Sequence, residues 1–267
     1  MADEVFTGLV RSDESRQWML DNAVRLLGAA QNLEFPKELD PRGIIRVENQ
    51  LSFSSCVGHG LSSSGEACAW IDSGGTLKPQ FSRWGAYIWA QTESGLLGRD
   101  QGAMISGAVK AGTRYGFCPE ELWPYPSRYT TAVPSGAVAA AAPYQLVSHS
   151  VVNGYDDGFA WMNQGKGPLL IGVNWTSGLA NNTGDVTLAD AKGRTLGGHC
   201  MFLWGWLPDG RLWLGNSHGK GWGQEGWRPV RPEVVTYWAQ TQEVYGLSDL
   251  KDVTQARPII VDAGEGM

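Results

Sequence analysis

The chain has 267 residues, 42% of them hydrophobic, which is enough for one large domain or two lobes with buried cores. Its formal net charge of −6 and sequence pI near 5.2 argue against nucleic acid as the main partner. No apolar stretch approaches the ~20 residues that span a bilayer, so we expect no membrane association.

The first residues lack the basic and apolar regions of a signal peptide. We therefore expect a cytoplasmic protein, or one carried out of a cytoplasm in a virion or another assembly. The four cysteines are Cys56, Cys68, Cys118 and Cys200. Without a secretory signal, reduced thiols are expected rather than disulfides. Cys56 with His59, and His199 with Cys200, are conceivable zinc ligands, but their spacing does not demand a metal. We predict neither a metal nor a cofactor.

Helical periodicity dominates the first half of the chain. Residues 14–30 are predicted to form an amphipathic helix, which we interpret as packed on the domain surface rather than as a regulatory arm. An extended stretch over 36–47 leads to a loop around Gln50. The next helix opens at Cys56, with a preceding serine as N-cap, and continues to about Ile71. Its glycines are poor helix formers and predict close approach of other backbones. The remaining predictions here are helices over 81–91 and 101–115, and an Ala-rich linker or short helix over 134–142.

The second half changes to short apolar and β-branched runs bounded by turn residues. Predicted elements are a strand over 144–148, a helix over 156–164, and strands over 169–175, 200–206, 212–216 and 226–230. A helical half followed by an antiparallel half predicts an α+β fold of two lobes with a cleft between them. We divide the chain into an N-terminal extension with a short helix (1–35), a helical lobe (36–142), a β lobe (143–247) and a C-terminal tail (248–267).

Four residues suit thiol chemistry. Cys56 at a helix N-terminus feels the partial positive charge of unpaired N–H groups, which favours a thiolate. The alternative for a single cysteine is a small buried hydrophobe. His199 begins an apolar strand, and Asn216 lies on the next one, so Asn216 can orient the imidazole as a base for the thiol. Gln50 supplies a side-chain donor for an oxyanion, together with the backbone N–H of Cys56.

These residues stand in a pattern that resembles papain-like cysteine peptidases, of a bacterial or phage type without a long propeptide. Gln50 precedes Cys56 by six residues, as in that family, and residues 216–223 resemble its Asn-Ser-Trp-Gly-x-x-Trp-Gly motif. The segments 167–173 and 115–125 are similar to its Gly-Pro strand and its Tyr-Gly…Tyr-Pro-Tyr segment. The spacing between Cys56 and His199 (199 − 56 = 143) lies within the roughly 130–150 residues typical of these enzymes.

The resemblance implies a papain-like two-lobed fold and a thiol peptidase acting on peptides or proteins through a Cys-His-Asn triad and an acyl-enzyme intermediate. It also implies that Gly102 and Gly198 contact substrate. The chain departs from the family where His218 replaces a tryptophan that shields the His-Asn hydrogen bond. We expect this to loosen the Asn216 contact and reduce activity. Cys200 replaces the alanine after the catalytic histidine.

Three histidines are interpreted as non-catalytic: His59, His149 and His218. His59 is expected to point along its helix rather than across the cleft. Two other functions stay open. One is a structural or assembly protein of a virion that keeps the fold and docks through its termini, where the run 258–261 could add a strand to a neighbouring sheet. The other is a peptidoglycan amidase or endopeptidase.

Overall fold

The computed structural model describes residues 7–23, 38–181 and 183–253. Within these ranges a group of helices precedes a six-stranded antiparallel sheet, as the α+β prediction required. The predicted docking run 258–261 and residues 24–30 of the first predicted helix lie outside the described residues. In the described part of the chain, no helix is both long and apolar enough to cross a membrane.

Five α-helices lie in the described part of the first half: α1 (Asp13–Asp21), α2 (Cys56–Asp72), α3 (Arg83–Ser94), α4 (Ile105–Arg114) and α5 (Ala137–Ala141). Helix α1 is capped by Ser12, whose hydroxyl accepts a hydrogen bond from the Ser15 amide at 3.0 Å, and it packs against α4. Helix α4 starts four residues later than predicted. Gly102 has a φ of +87°, outside the helical region, and Ala103 pairs with the N-terminal segment instead.

Helix α2 lies between the two halves of the molecule, and its glycines allow this position. A Cβ on Gly58 would lie 2.5 Å from the Arg83 carbonyl oxygen of α3. A Cβ on Gly60 would lie 2.9 Å from the Cys200 sulfur, on the sheet side. The predicted close approach of a neighbouring backbone is therefore confirmed at Gly58, whereas the nearest neighbours of Gly60 are side chains of the sheet. Because α2 contributes Leu61 to one hydrophobic core and Ala67 to the other, it fixes the two halves relative to each other.

The sheet has the strand order β1-β6-β2-β3-β4-β5. Its strands are β1 (Leu146–Val151), β2 (Leu169–Thr176), β3 (Thr195–Trp206), β4 (Leu212–Gly215), β5 (Trp227–Val230) and β6 (Glu243–Leu250). The helices between them are α6 (Tyr155–Asn163), α7 (Ser177–Ala180), α8 (Leu188–Ala191) and α9 (Pro232–Thr241). Strand β6 was not predicted, although it pairs with both β1 and β2. It continues to Leu250, three residues past the predicted end of the β lobe.

Candidate active site

Cys56 is the first residue of α2 and is fully buried. Ser55 occupies the N-cap position, but its side chain makes no capping bond within the described chain, contrary to the prediction. Its hydroxyl instead lies 2.6 Å from the Tyr125 hydroxyl, which donates to the Gln50 carbonyl oxygen at 3.0 Å. Because the serine does not cap the helix, the N–H groups of its first turn remain directed toward the Cys56 environment.

The Cys56 thiol is protonated at neutral pH. Burial raises its pKa to about 11, while the N–H groups of Cys200, Gly8 and Val57 interact with the sulfur and act in the opposite direction. The prediction of a thiolate at neutral pH is therefore wrong for this conformation. The helix N-terminus contributes as expected, but complete removal from water outweighs it.

His199 on β3 and Asn216, the residue directly after β4, form a direct hydrogen bond. His199 Nε2 lies 2.7 Å from Asn216 Oδ1, and both side chains are buried. Asn216 Oδ1 also accepts from the Ser217 backbone N–H at 2.8 Å. Because a backbone N–H can only donate, the Asn216 oxygen must be the atom at this position, and His199 Nε2 must carry the proton. The second ring nitrogen, Nδ1, therefore has the lone pair that a general base needs.

Two aromatic side chains pack against the ring of His199. Trp175 on β2 lies with its ring centroid 4.7 Å from that of His199, and His218 lies 5.0 Å from His199. Trp175 also packs edge-on against His218. The expectation that His218 loosens the Asn216 contact is wrong for this conformation, because the hydrogen bond measures 2.7 Å and both side chains are buried.

The imidazole of His199 is neutral in this conformation. Its pKa is lowered to about 3, mainly by burial and also by nearby His218, while the bond to Asn216 acts in the opposite direction. Nδ1 is buried and finds no hydrogen-bond partner among the described residues, so it does not bond to Cys56. The thiol nevertheless lies beside this strand, since the next amide along the chain, that of Cys200, interacts with the sulfur.

Gln50 is fully buried and connects the loop before α2 to the segment after β4. Its Nε2 donates to the Phe53 carbonyl oxygen at 2.7 Å, and its Oε1 accepts from the Ser217 hydroxyl at 2.6 Å. Its backbone N–H donates to the Ser217 carbonyl oxygen at 2.8 Å. An oxyanion role requires the second hydrogen of the amide nitrogen, since the first is donated to Phe53.

Residues 7–10, called here the cleft segment, cover this group of side chains. The Gly8 N–H interacts with the Cys56 sulfur, and Leu9 donates to the Gly198 carbonyl oxygen at 3.1 Å. On the other side, Gly8 accepts from the Ala103 N–H and Val10 donates to the Ala103 carbonyl oxygen, both at 2.9 Å. The segment thus hydrogen-bonds to both walls of the cleft and closes it. The sequence did not predict this contact, because four residues without periodicity give no signal for it.

The two glycines predicted to contact substrate differ in their surroundings. Gly198 directs its carbonyl oxygen to the cleft segment, whereas Gly102 directs its N–H to the Tyr87 hydroxyl at 3.1 Å. Its neighbour Ala103 presents both backbone groups to the cleft instead. A side chain on Gly102 would collide with the Gly8 carbonyl oxygen, so Gly102 provides space for the cleft segment, while its own hydrogen bonds go to Tyr87 and Gln91.

Arg11 anchors the cleft segment to the sheet. Its guanidinium donates to Asn174 Oδ1 at 2.7 Å, the Gly172 carbonyl oxygen at 3.1 Å and Gln242 Oε1 at 2.9 Å. Its Nε also lies 3.6 Å from the carboxylate of Glu243, at the start of β6. We refer to this set of contacts as the Arg11 clasp. It connects the first described residues to the last strand.

The remaining histidine and cysteine candidates have contacts typical of structural residues. His149 Nε2 lies 3.0 Å from the Met19 carbonyl oxygen, and its ring stacks on Trp18, so it holds α1 against β1. All four cysteines are buried free thiols. Across the described ranges, no group of three or more His, Cys, Asp or Glu side chains is placed to hold a metal ion.

The fold is similar to that of several solved cysteine proteases. Xylellain, a cysteine protease from Xylella fastidiosa, matches with a TM-score of 0.72 and 19% identity over 92% of this chain and 96% of its own. Digestive procathepsin L 3 from Tenebrio molitor matches with a TM-score of 0.69 and 15% identity, over 92% and 84%. A Carica candamarcensis cysteine protease in complex with E-64 matches with a TM-score of 0.61 and 19% identity, over 80% and 99%.

No protein-family model and no curated protein matches the sequence. The structural likeness nevertheless confirms the predicted fold: the chain has the papain-like architecture of a helical lobe and an antiparallel β lobe.

Proposed function

We propose that the chain is a thiol peptidase that hydrolyses peptide bonds with Cys56 as nucleophile, His199 as base and Asn216 as the group that orients the base. The observation that carries the proposal is the fixed tautomer of His199. Its Nε2–H is held by Asn216 Oδ1, so Nδ1 is the basic nitrogen, on the strand whose next amide interacts with the Cys56 sulfur. The papain-like fold supports peptides or proteins as the substrate class.

The proposed reaction has two stages. His199 Nδ1 takes the thiol proton while the Cys56 sulfur attacks the peptide carbonyl carbon, and the carbonyl oxygen becomes an oxyanion held by the Cys56 N–H and the Gln50 amide. The protonated His199 then gives its proton to the departing amine, the C–N bond breaks, and a thioester remains. Water attacks the thioester after losing a proton to His199, and hydrolysis releases the acid and restores the thiol.

The proposal includes a latent state. The cleft segment lies where a substrate must reach the sulfur, and the high pKa of Cys56 and the low pKa of His199 both result from the burial that this closure completes. Displacing the segment readmits water or substrate to the cleft. This lowers the free-energy cost of forming the charged thiolate–imidazolium pair. We therefore expect turnover only when the cleft segment has moved.

Turnover of a peptide library by the full chain, read by mass spectrometry, tests the proposal. Wild type and Arg11→Ala should cleave peptides, and the same proteins with Cys56→Ala should not, although they fold. Cleavage that survives Cys56→Ala refutes the nucleophile. Cleavage of peptidoglycan fragments but not of peptides would favour the amidase alternative. If Arg11→Ala cleaves no peptide although its Cys56 thiol is accessible, an assembly role would be favoured.

A further inference from the structure

His59 has a feature that its predicted structural role does not explain. It lies one turn after Cys56 on α2 and is 4% exposed. Its ring packs edge-on against Tyr125, with centroids 5.2 Å apart. Its Nε2 nonetheless finds no hydrogen-bond partner in the described part of the chain. A buried imidazole nitrogen without a hydrogen-bond partner destabilises the folded protein. The polar groups around it therefore indicate what could satisfy it.

The side chain of Asn216 has a matching feature. Its Oδ1 accepts from both His199 and Ser217, but its Nδ2 is buried and has no hydrogen-bond partner among the described residues. The amide is therefore held at its oxygen end only. If it rotated by half a turn, His199 Nε2–H would face an NH₂ group, which cannot accept, and the base would lose its orientation.

These two residues line the same small cavity behind the triad. His59 and Asn216 are joined in its wall by Ser63 and Ser217, among others. The cavity offers about 10 Å³ to the centre of a water molecule. One buried water needs about 10–15 Å³ measured in this way, with two to four polar partners. The site therefore suits a single water that accepts from Asn216 Nδ2 and donates to His59 Nε2.

We infer that His59 is a positioning residue, which holds the Asn216 amide through one bridging water molecule and so fixes the tautomer of His199. The inference rests on the proposed role of His199 as the base. In this arrangement Asn216 is held at both ends: its oxygen by His199 and Ser217, and its nitrogen by the water on His59. The imidazole of His59 acts as an acceptor, which is the form that a buried, neutral histidine can supply.

Three substitutions separate hydrogen bonding from packing at this position. His59→Phe keeps an aromatic ring against Tyr125 but removes the acceptor. His59→Gln places an amide oxygen near the position of Nε2, whereas the shorter His59→Asn places one near Nδ1. His149→Phe is the matched control, because His149 is also 4% exposed but bonds to the Met19 carbonyl oxygen in α1.

The first readout is the ¹⁵N spectrum of the imidazoles in the full chain, which is tractable because the chain has only four histidines. Wild type, His59→Gln and His149→Phe should show His199 as a single Nε2–H tautomer. His59→Phe and His59→Asn should show a mixture. A His199 signal that is the same in all five proteins overturns the inference. A crystal structure with no water between His59 and Asn216 also overturns it.

The second readout is turnover. His59→Phe should lower kcat about tenfold to a hundredfold with little change in KM, because misorientation of a catalytic group affects the chemical step. His59→Gln should recover most of this loss. In an Asn216→Ala background, His59→Phe should have no further effect, and a full additional loss would indicate a merely structural role. The two proposals fail separately. A changed tautomer in a protein that cleaves nothing refutes the peptidase, whereas normal cleavage by His59→Phe refutes the positioning role.

Discussion

From the contacts of the Arg11 clasp we predict how much they stabilise the closed cleft. Arg11→Ala removes three hydrogen bonds, to Asn174, Gly172 and Gln242, and an ion pair with Glu243. The arginine side chain is 35% exposed, so solvent screens these contacts and their combined contribution is about 2 kcal/mol. If the substitution destabilises only the closed state, the population with the cleft segment displaced rises about 30-fold, since every 1.4 kcal/mol is tenfold.

Alkylation of Cys56 by iodoacetamide measures that population. The fully buried sulfur reacts only after the segment moves, so with fast closing the observed rate follows the opening equilibrium. The modified thiol is identified by mass spectrometry, and we expect about 30-fold faster labelling of Cys56 in Arg11→Ala. Cys68 is buried, with its sulfur 3.9 Å from the Leu247 carbonyl oxygen of β6, and serves as an internal reference, since only global unfolding should expose it.

Arg211→Ala is the matched control for this experiment. Arg211 is 30% exposed and also forms ion pairs, with Asp185 and Asp209, but it lies on the turn between β3 and β4. Its removal should leave the labelling rate of Cys56 unchanged. Equal rates in wild type, Arg11→Ala and Arg211→Ala would refute the clasp. Parallel acceleration of Cys56 and Cys68 would show that Arg11→Ala unfolds the protein instead of opening the cleft.

Three further predictions follow from other contacts. Gln50→Ala should lower kcat by roughly two to three orders of magnitude with little change in KM, as expected for a lost oxyanion donor, and an unchanged kcat would exclude Gln50 from the mechanism. Glu66→Ala should lower the free energy of unfolding by about 3–5 kcal/mol in urea titrations, because it leaves the buried Arg83 uncompensated, and a loss below about 1 kcal/mol would contradict this. Because burial lowers the pKa of His199 from 6.5 to about 3, only the unfolded chain binds this proton between those values. The free energy of unfolding should therefore fall as the pH decreases from 6.5 toward 3, by about 1.4 kcal/mol per unit from this group, and His199→Asn should lose that part of the slope. Identical slopes of the free energy of unfolding against pH in wild type and His199→Asn would refute this prediction.

The sequence predicted those features whose signal lies in residues close together in the chain. The start of α2 at Cys56 follows from the serine before it and the apolar run after it. The pairing of β3 and β4, which brings His199 close to Asn216 at the end of β4, follows from two short runs separated by Asp209-Gly210. These contacts involve residues close together in the chain or in one pattern, so one sequence suffices to predict them.

Contacts that depend on distant residues were missed. Strand β6 contains Ser248 and Asp249, which obscure the apolar signal, and it becomes a central strand only through pairing with β1, about 100 residues earlier. The cleft segment pairs with Ala103 and Gly198, and nothing within residues 7–10 identifies those partners. The pKa of Cys56 was wrongly predicted for the same reason, because it depends on burial beneath that segment.

The late position of β6 in the chain limits the order in which the protein can fold during synthesis. Strand β1 pairs only with β6 among the described strands, and the Arg11 clasp ends on Gln242 and Glu243, at the start of β6. A nascent chain that has emerged only as far as β5 can pair β2, β3, β4 and β5 with one another, but it has no partner for β1 and cannot complete the clasp. Synthesis therefore orders the events: His199 and Asn216 can come together before the clasp is complete. A chain that ends before residue 242 keeps the contacts of Arg11 to Asn174 and Gly172 but lacks those to Gln242 and Glu243, so it should hold the cleft segment less tightly.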